Sequence, residues 1–408
     1  MGAMTDYLHA RTATATKTKS NHDTLELDMW LVGALMTLLS VGLVIMGSAS
    51  ITIADRHFGQ PFYYVEHQLV YIAVGLLLTY GILHTRVSVW EKLGPFLLFL
   101  GTLFLMLVLI PGIGREVNGS IRWLPLGLIN LQPSEMIKLF VVVFLAGYLV
   151  RREEEVSTTI KGFLKPMVLI SALALLLLLE PDFGAAVVLV ATALGMLFLG
   201  GVRIWQFGVL LLMIIAALSI VAFSSPYRME RLTVFLNPWA DPYNSGFQLT
   251  QALIAFGRGE WFGVGLGGSI QKLFYLPEAH TDFVFAVLAE ELGLMGTMVV
   301  IGLFTFVMWR VFTIGLRAEK AGQRFSAYLA YGLGLWLGLQ AIINIGVNMG
   351  VLPTKGLTLP LMSYGGSSIV VTCIAFAIVL RIDYESRLAI DEKQAIDSGS
   401  KVVRRKSR

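Results

Sequence analysis

The sequence predicts an all-α polytopic membrane protein of about ten spans with one large extracytoplasmic loop. Three observations carry that prediction. Of 408 residues, 56% are hydrophobic and only 14% charged, against about 25% charged in a soluble domain. The mean hydropathy is +0.73. Apolar runs of about 18–25 residues recur along the chain, each long enough to cross a ~30 Å hydrocarbon core as a helix. They are continuous, where a soluble helix would show a narrow apolar stripe.

The spans fall near 29–50, 62–84, 94–111, 133–150, 166–180, 184–200, 204–223, 282–309, 327–349 and 364–382. Only Glu180-Pro181-Asp182-Phe183-Gly184 separates the fifth from the sixth, and it reads as a tight outer turn. An even number of spans puts both chain ends on one side. With the termini inside, inner segments hold 22 of the Lys and Arg residues and outer segments eight, with Lys138 left inside the fourth span. Cytoplasmic loops favour Lys and Arg, so both termini are expected in the cytoplasm. The net charge of +4 is thus a topology signal, and no nucleic-acid partner is expected.

The membrane domain covers 29–382. The preceding tail, 1–28, is polar and Thr/Lys-rich and is expected to be disordered. The following tail, 383–408, is basic and suited to anionic membrane lipids. Nothing resembles a cleavable signal peptide. The single cysteine, Cys373, lies in the last span, so no intrachain disulfide can order the outer loops.

The long outer loop, 224–281, is rich in aromatic residues, including Trp239, Tyr243, Trp261 and Tyr275. A loop of that length is usually functional or disordered. Asn244-Ser245 can cap a short surface helix ending at Gly257, with Leu249, Ala252, Leu253 and Phe256 on one stripe. The glycine-rich run Gly257 to Gly268 could cradle a phosphate. It lacks a preceding strand and a following Lys-Ser/Thr, and reads better as a close-packed re-entrant turn.

Polar residues gather in four places. The loop ends in Leu276-Pro-Glu278-Ala-His280-Thr281-Asp282-Phe283, where capping by Thr281 or Asp282 and catalysis by Asp282 both remain open. Glu290 and Glu291 lie about 12 Å deeper, at ~1.5 Å per residue, and acids at that depth normally face a cavity or a partner. The fourth span opens with Gln132-Pro-Ser-Glu135-x-x-Lys138 and follows Arg122. Glu135 and Lys138 share a face and form either a private salt bridge or a cation aimed at an anionic substrate. The ninth span carries Gln340, Asn344 and Asn348 on one face, turned either toward a polar cavity or into interhelical hydrogen bonds, with Gly334 and Gly338 on a roughly opposite face. Finally, Pro353 to Ser368 breaks the helix at membrane depth with two prolines and three glycines, which is tolerated only beside protein or a water-filled cavity.

No zinc-ligand spacing, nucleophile elbow or Walker motif is present. The pattern alone supports a transporter or a membrane-embedded enzyme with an outward polar cavity. A channel fits less well, for want of a repeated pore signature.

Taken together and in this order, Gln132-Pro-Ser-Glu135-x-x-Lys138, Leu276-Pro-Glu-Ala-His-Thr-Asp282-Phe, Glu290-Glu-Leu-Gly293 and Ser363-Tyr-Gly-Gly-Ser-Ser368 resemble the SEDS family of peptidoglycan polymerases. The likeness spans nearly all ten segments. It leans to the division member over the elongation member, on Pro277-Glu-Ala-His280, the ending Leu380 to Arg387 and the polar extension before the first span. The resemblance implies a glycosyltransferase that joins lipid II into glycan strands on the outer face of the bacterial cytoplasmic membrane, at the division septum. It implies Asp282 as general base, with Arg122 and Lys138 on the pyrophosphate and Glu135 orienting Lys138. Glu278 and His280 would serve the acceptor. Ser363 would contact substrate and, with Glu290, Asn344, Asn348, Tyr364 and Gly366, shape the cavity. The resemblance fixes no cofactor, and a divalent cation (Mg or Mn) could share the pyrophosphate. The implied partner is a class B penicillin-binding protein, an FtsI-type transpeptidase, together with other divisome proteins. The Gly334/Gly338 face is a candidate seat for its helix. The rival readings are a lipid II flippase and a non-catalytic scaffold that activates the transpeptidase.

Overall fold

The computed structural model of the chain describes residues 26–117, 120–125, 130–203, 205–209, 211–212, 235, 237–244, 246–353 and 356–406. In order, these form α1 (Met29–Phe58), α2 (Tyr63–Leu83), α3 (Val87–Val108), β1 (Arg115–Val117), β2 (Ser120–Pro125), β3 (Asn130–Leu131), α4 (Pro133–Arg151), α5 (Glu153–Thr158), α6 (Ile160–Leu179), α7 (Phe183–Leu199), α8 (Phe247–Gly259), α9 (Val284–Lys320), α10 (Arg324–Asn348) and α11 (Gly366–Lys406). Among the described residues, eight helices are long and apolar enough to cross a membrane. The apolar α7, with 17 residues, reaches about 26 Å at ~1.5 Å per residue. The expected 204–223 span lies mostly outside the described residues, as do residues 1–25, Ser245 and Lys355.

The helices divide by surroundings. α4, α10 and α11 are enclosed by the others, whereas α2 and α3 present most of their surface outward. The polar residues follow that division. Glu135, Lys138, Gln340, Asn344, Asn348, Ser367 and Ser368 are all buried and all sit on the enclosed helices. A polar group on a lipid-facing helix would have no partner, while between helices it finds one.

Two expectations about the helices are corrected. α11 does not stop at 382. It continues to Lys406, supported by i,i+4 pairs Arg381–Glu385 and Asp383–Arg387. The Gly334/Gly338 face is not free for a partner. Val311 and Phe312 of α9 fill the space at Gly334, and Met308 fills it at Gly338.

The bundle has two ends. The tail end carries the start of α1, and there Asp28 pairs with Arg310, Asp383 with Arg317 and Arg387, and Glu153 with Arg324. The opposite, loop end carries a small antiparallel sheet in the order β1-β2-β3, α8 and the turn at Asp282.

A candidate active site at the loop end

The turn before α9 is wound by its own backbone. The amides of Thr281 and Phe283 both donate to the Glu278 carbonyl, and the amide of Tyr364 donates to the His280 carbonyl. Thr281 donates its hydroxyl to Glu278 Oε2 at 2.7 Å. α9 begins with Phe283 at its N-cap and no side-chain cap, so neither Thr281 nor Asp282 caps the helix. The first-turn amide of Ala286 bonds Asn348 Oδ1 instead.

Asparagines from α10 hold this corner. Asn344 and Asn348 both donate Nδ2 to the Asp282 backbone carbonyl at 2.9 Å. Asn344 also reaches the Leu357 carbonyl at 2.5 Å, and Gln340 the Thr358 carbonyl at 3.0 Å. Of the two readings of these amides, the polar-cavity lining is corrected and hydrogen bonding between segments holds: they are spent on backbone, pinning the turn to the irregular segment 356–365. Gly356 lies against the Asp282 carboxylate, 3.0 Å from Oδ2 at the place a β-carbon would take.

Asp282 itself stays partly exposed, and no described side chain donates to its carboxylate. Burial of the carboxyl, then the Glu278 charge, lifts its pKa. Arg122 opposes them and Asp182 adds to them, and the result is about 7. A carboxyl held there is a far better base near neutrality than a free Asp at about 3.9.

Arg122 arrives on β2. Its Nε donates to the Glu180 carbonyl at 3.1 Å and its Nη2 to the Pro181 carbonyl at 2.5 Å. The sheet that carries it escaped the sequence reading. The missed signal is Asn118-Gly119 between two short β-favouring runs, a strong hairpin dipeptide. Glu180 was also missed as a site residue. It is 0% exposed, and neither carboxylate oxygen has a hydrogen-bond partner. Burial and then Asp182 lift its pKa, against Arg122, to about 8, so it is neutral at pH 7. Asp182 caps α7 through the Ala185 amide. The acids of this turn were visible in sequence. What was not visible is that the turn docks on the 356–365 segment, where Gly184 meets Leu357.

Lys138 is not open to the site. It is 1% exposed, with its ammonium 2.7 Å from Glu135 Oε1 and 2.8 Å from Gln340 Oε1, over the Trp336 ring. Glu135 does orient Lys138, and Gln340 carries the contact on to Thr358. Lys138 therefore stands one layer behind the site.

His280 packs between the rings of Tyr64 and Tyr364, at 4.6 and 5.7 Å, and its Nδ1 has no partner. Burial lowers its pKa, with Glu278 pulling the other way, so the ring is neutral. Ser363 is used internally: its Oγ accepts from the Leu359 amide and its carbonyl from Gln68. At Gly366 a β-carbon would fall on the Tyr71 ring. Ser363 and Gly366 thus shape the wall that carries Tyr364.

Glu290 does not line a cavity. It is 0% exposed and fully occupied by Arg258, Ser269 and the amides of Ile270 and Gln271. Glu291 pairs with Lys272 at 2.9 Å and accepts from Ser48. Just beyond them α9 breaks at Gly293, with φ +66°. The carbonyls of Glu290 and Glu291 would serve Leu294 and Met295 in an unbroken helix. They accept from Val264 and Gly265 instead, while Leu294 and Met295 donate to the Glu260 and Trp261 carbonyls. β-Carbons at Gly259 and Gly263 would fall on the carbonyls of Ala289 and Glu291. The glycine-rich run is the expected close-packed turn, spliced into a helix break. α8 precedes it as expected, though it runs from Phe247 to Gly259 with Gly246, not Asn244, at its N-cap.

Among the described residues, no three His, Cys, Asp or Glu side chains converge as metal ligands.

A family model described as "Cell cycle protein", for FtsW, RodA and SpoVE, matches residues 29–388. Curated relatives agree in kind. The "Probable peptidoglycan glycosyltransferase FtsW" of Nitrosococcus halophilus is 64% identical over 360 residues, 88% of this chain and 93% of the relative. That of Coxiella burnetii is 56% identical over 359 residues, 88% of this chain and 96% of the relative. Among solved structures, a chain from work entitled "Structural coordination of polymerization and crosslinking by a peptidoglycan synthase complex" superposes with TM-score 0.74 at 29% identity, over 89% of this chain and 99% of that one. The rod shape determining protein RodA of Thermus thermophilus superposes with TM-score 0.64 at 28% identity, over 88% and 97%.

Proposed function

The chain belongs to the FtsW/RodA/SpoVE family, and from that premise we propose that it is a peptidoglycan glycosyltransferase of the FtsW type. It polymerises lipid II on the outer face of the bacterial cytoplasmic membrane at the division septum, with both termini in the cytoplasm. Its partner is a class B penicillin-binding protein that cross-links the strands.

The observation that carries this reading is the state of Asp282. Its backbone is clamped by two asparagines, its carboxylate receives no donor from the described side chains, and its pKa is lifted to about 7. A general base needs a fixed position and a pKa near the working pH. In the reaction, the 4-hydroxyl of the acceptor GlcNAc attacks C1 of the donor MurNAc and gives its proton to Asp282. The C1–O bond breaks, and its electron pair leaves with the lipid pyrophosphate. One displacement inverts the anomeric centre and needs one base. Arg122, bound to two carbonyls at the turn beside the site, can move onto the pyrophosphate as charge develops there. Lys138 supports the site from behind, through Gln340 and Thr358.

A flippase would have to open the tail end. There Asp28–Arg310 and Asp383–Arg317 tie α1 and α11 to α9. The test is glycan formation from lipid II by the purified protein and its transpeptidase in detergent, with native Asp282 and with Asp282→Asn. Detergent abolishes sidedness, so transport contributes nothing. Polymer from the native protein alone supports the reading. Equal polymer from both removes Asp282 as base and favours a scaffold, and polymer from neither favours transport.

A further inference from the structure

The site has a second flank that the reaction above does not use. Phe58, at the end of α1, stacks on Tyr63 with ring centroids 4.0 Å apart. Tyr63 meets Tyr64 edge-on at 5.6 Å, and Tyr64 meets Tyr364 edge-on at 5.0 Å. Tyr64 and Tyr364 both close on His280, two residues from Asp282. The rings therefore run without a gap from the rim of the bundle, where Phe58 is 48% exposed, to the catalytic corner.

Aromatic residues at a membrane surface are usually interfacial anchors. Anchoring accounts for Phe58 and for the exposed Phe62. It does not account for a file of rings that turns inward and ends on an imidazole 7% exposed with an unbonded Nδ1. Leaving such an atom buried without a partner is unfavourable, and a ligand that bonded it would remove that cost.

The chemistry of this flank differs from that of Arg122. Tyr364 and Gly366 face α2, through Tyr64 and Tyr71. Ser367, one residue on, bonds Gln132 and Asn130 on the side of the sheet. The segment 364–367 thus has the sheet side on one flank and neutral rings on the other. Neutral rings edged with hydroxyls and an imidazole suit a ligand with apolar C–H faces and polar rims, which describes a pyranose. They do not suit a phosphate.

We propose that Phe58, Tyr63, Tyr64 and Tyr364, ending at His280, form a saccharide track that seats the sugar units of the glycan strand adjoining the reacting one. The proposal rests on the polymerase reading for the identity of the strand.

Two measurements test it. The first is saturation-transfer NMR on the full-length Asp282→Asn protein. The probe is a lipid-free tetrasaccharide of alternating N-acetylglucosamine and N-acetylmuramic acid. Saturating aromatic ring protons is expected to transfer to the sugar C–H protons, and to fade when Phe and Tyr rings are deuterated. The second is the strand-length distribution made from lipid II by Phe58→Leu/Tyr63→Leu, which keeps apolar anchors but removes the outer rings. Strands are expected to shorten about threefold to tenfold, the loss of one or two stacking contacts, and Phe58→Tyr/Tyr63→Trp is expected to restore them. Absence of transfer overturns the proposal, as do native strand lengths from the leucine variant. The NMR arm needs no folded leucine variant and no catalysis, so it answers even if native protein makes no polymer and the polymerase reading falls.

Discussion

The buried acids at the tail end and those around Asp282 are the same kinds of residue in opposite circumstances. At the tail end, Asp28 and Asp383 each lie against arginine. At the loop end, Glu290 and Glu291 are likewise paired, with Arg258 and Lys272. Asp282 and Glu180 form no ion pair among the described residues, with Arg122 acting on both only at a distance, and both are lifted toward neutrality. A paired acid holds helices together. An unpaired one costs stability but can exchange a proton at physiological pH. Burial alone therefore does not mark the site; burial without a partner does.

The sharpest way to break this comparison is to remove the two kinds of acid and read both activity and stability. Asp282→Asn is expected to cut glycan formation by about 10²–10⁴-fold while leaving the melting temperature in detergent unchanged or raised. With Asp282 native, the base must be ionised and its pKa is raised to about 7. Initial rates should then climb about tenfold per pH unit below 7 and level off above it. A profile flat from pH 5 to 8 would sink the assignment.

Gly293→Ala puts a side chain at φ +66° and onto the inserted loop. It should cost at least about 2 kcal/mol in thermal unfolding, with activity falling in parallel. Asp383→Asn leaves Arg317 and Arg387 facing a neutral group, and should lower stability by about 2 kcal/mol, discounted because both arginines are partly exposed. Its pH–rate profile should keep the native shape. The smallest effect belongs to Glu180→Gln. A carboxyl neutral at pH 7 is nearly isosteric with an amide, so stability should change by less than about 1 kcal/mol and rate by less than about threefold. A large loss would mean that Glu180 works ionised, and the contrast with Asp383 would have to be redrawn.

Much of this was legible in the residues. The spans follow from hydropathy, and the helix break at 353–365 follows from its prolines and glycines. Asp282 stands out because four polar groups crowd the mouth of a span. What sequence could not deliver was the partnering. Glu290 and Asp282 look alike as acids at one helix end. Only the return of Arg258 and Ser269 across the chain makes one structural and leaves the other free to react. Lys138 could be read as a salt bridge or a substrate cation, and the choice was made by Gln340, about 200 residues away. The Gly334/Gly338 face looked like a docking surface because glycine spacing says that something packs there, without saying that it is α9 of the same chain. The aromatic file is hidden for a similar reason, since its rings come from three distant stretches.

The splice at Gly293 also bears on how the chain enters a membrane. α9 carries two glutamates that, alone at bilayer depth, would oppose insertion by roughly 2.5–3.5 kcal/mol each. Their partners, Arg258 and Lys272, lie earlier in the chain and so leave the ribosome first. The amides of Val264 and Gly265, which take the carbonyls freed by the break, do as well. By the time Glu290 is synthesised, every group that will neutralise or hydrogen-bond this stretch already exists upstream. The loop and the helix can then cross the bilayer as a mutually shielded hairpin, with no naked acid waiting for a distant segment.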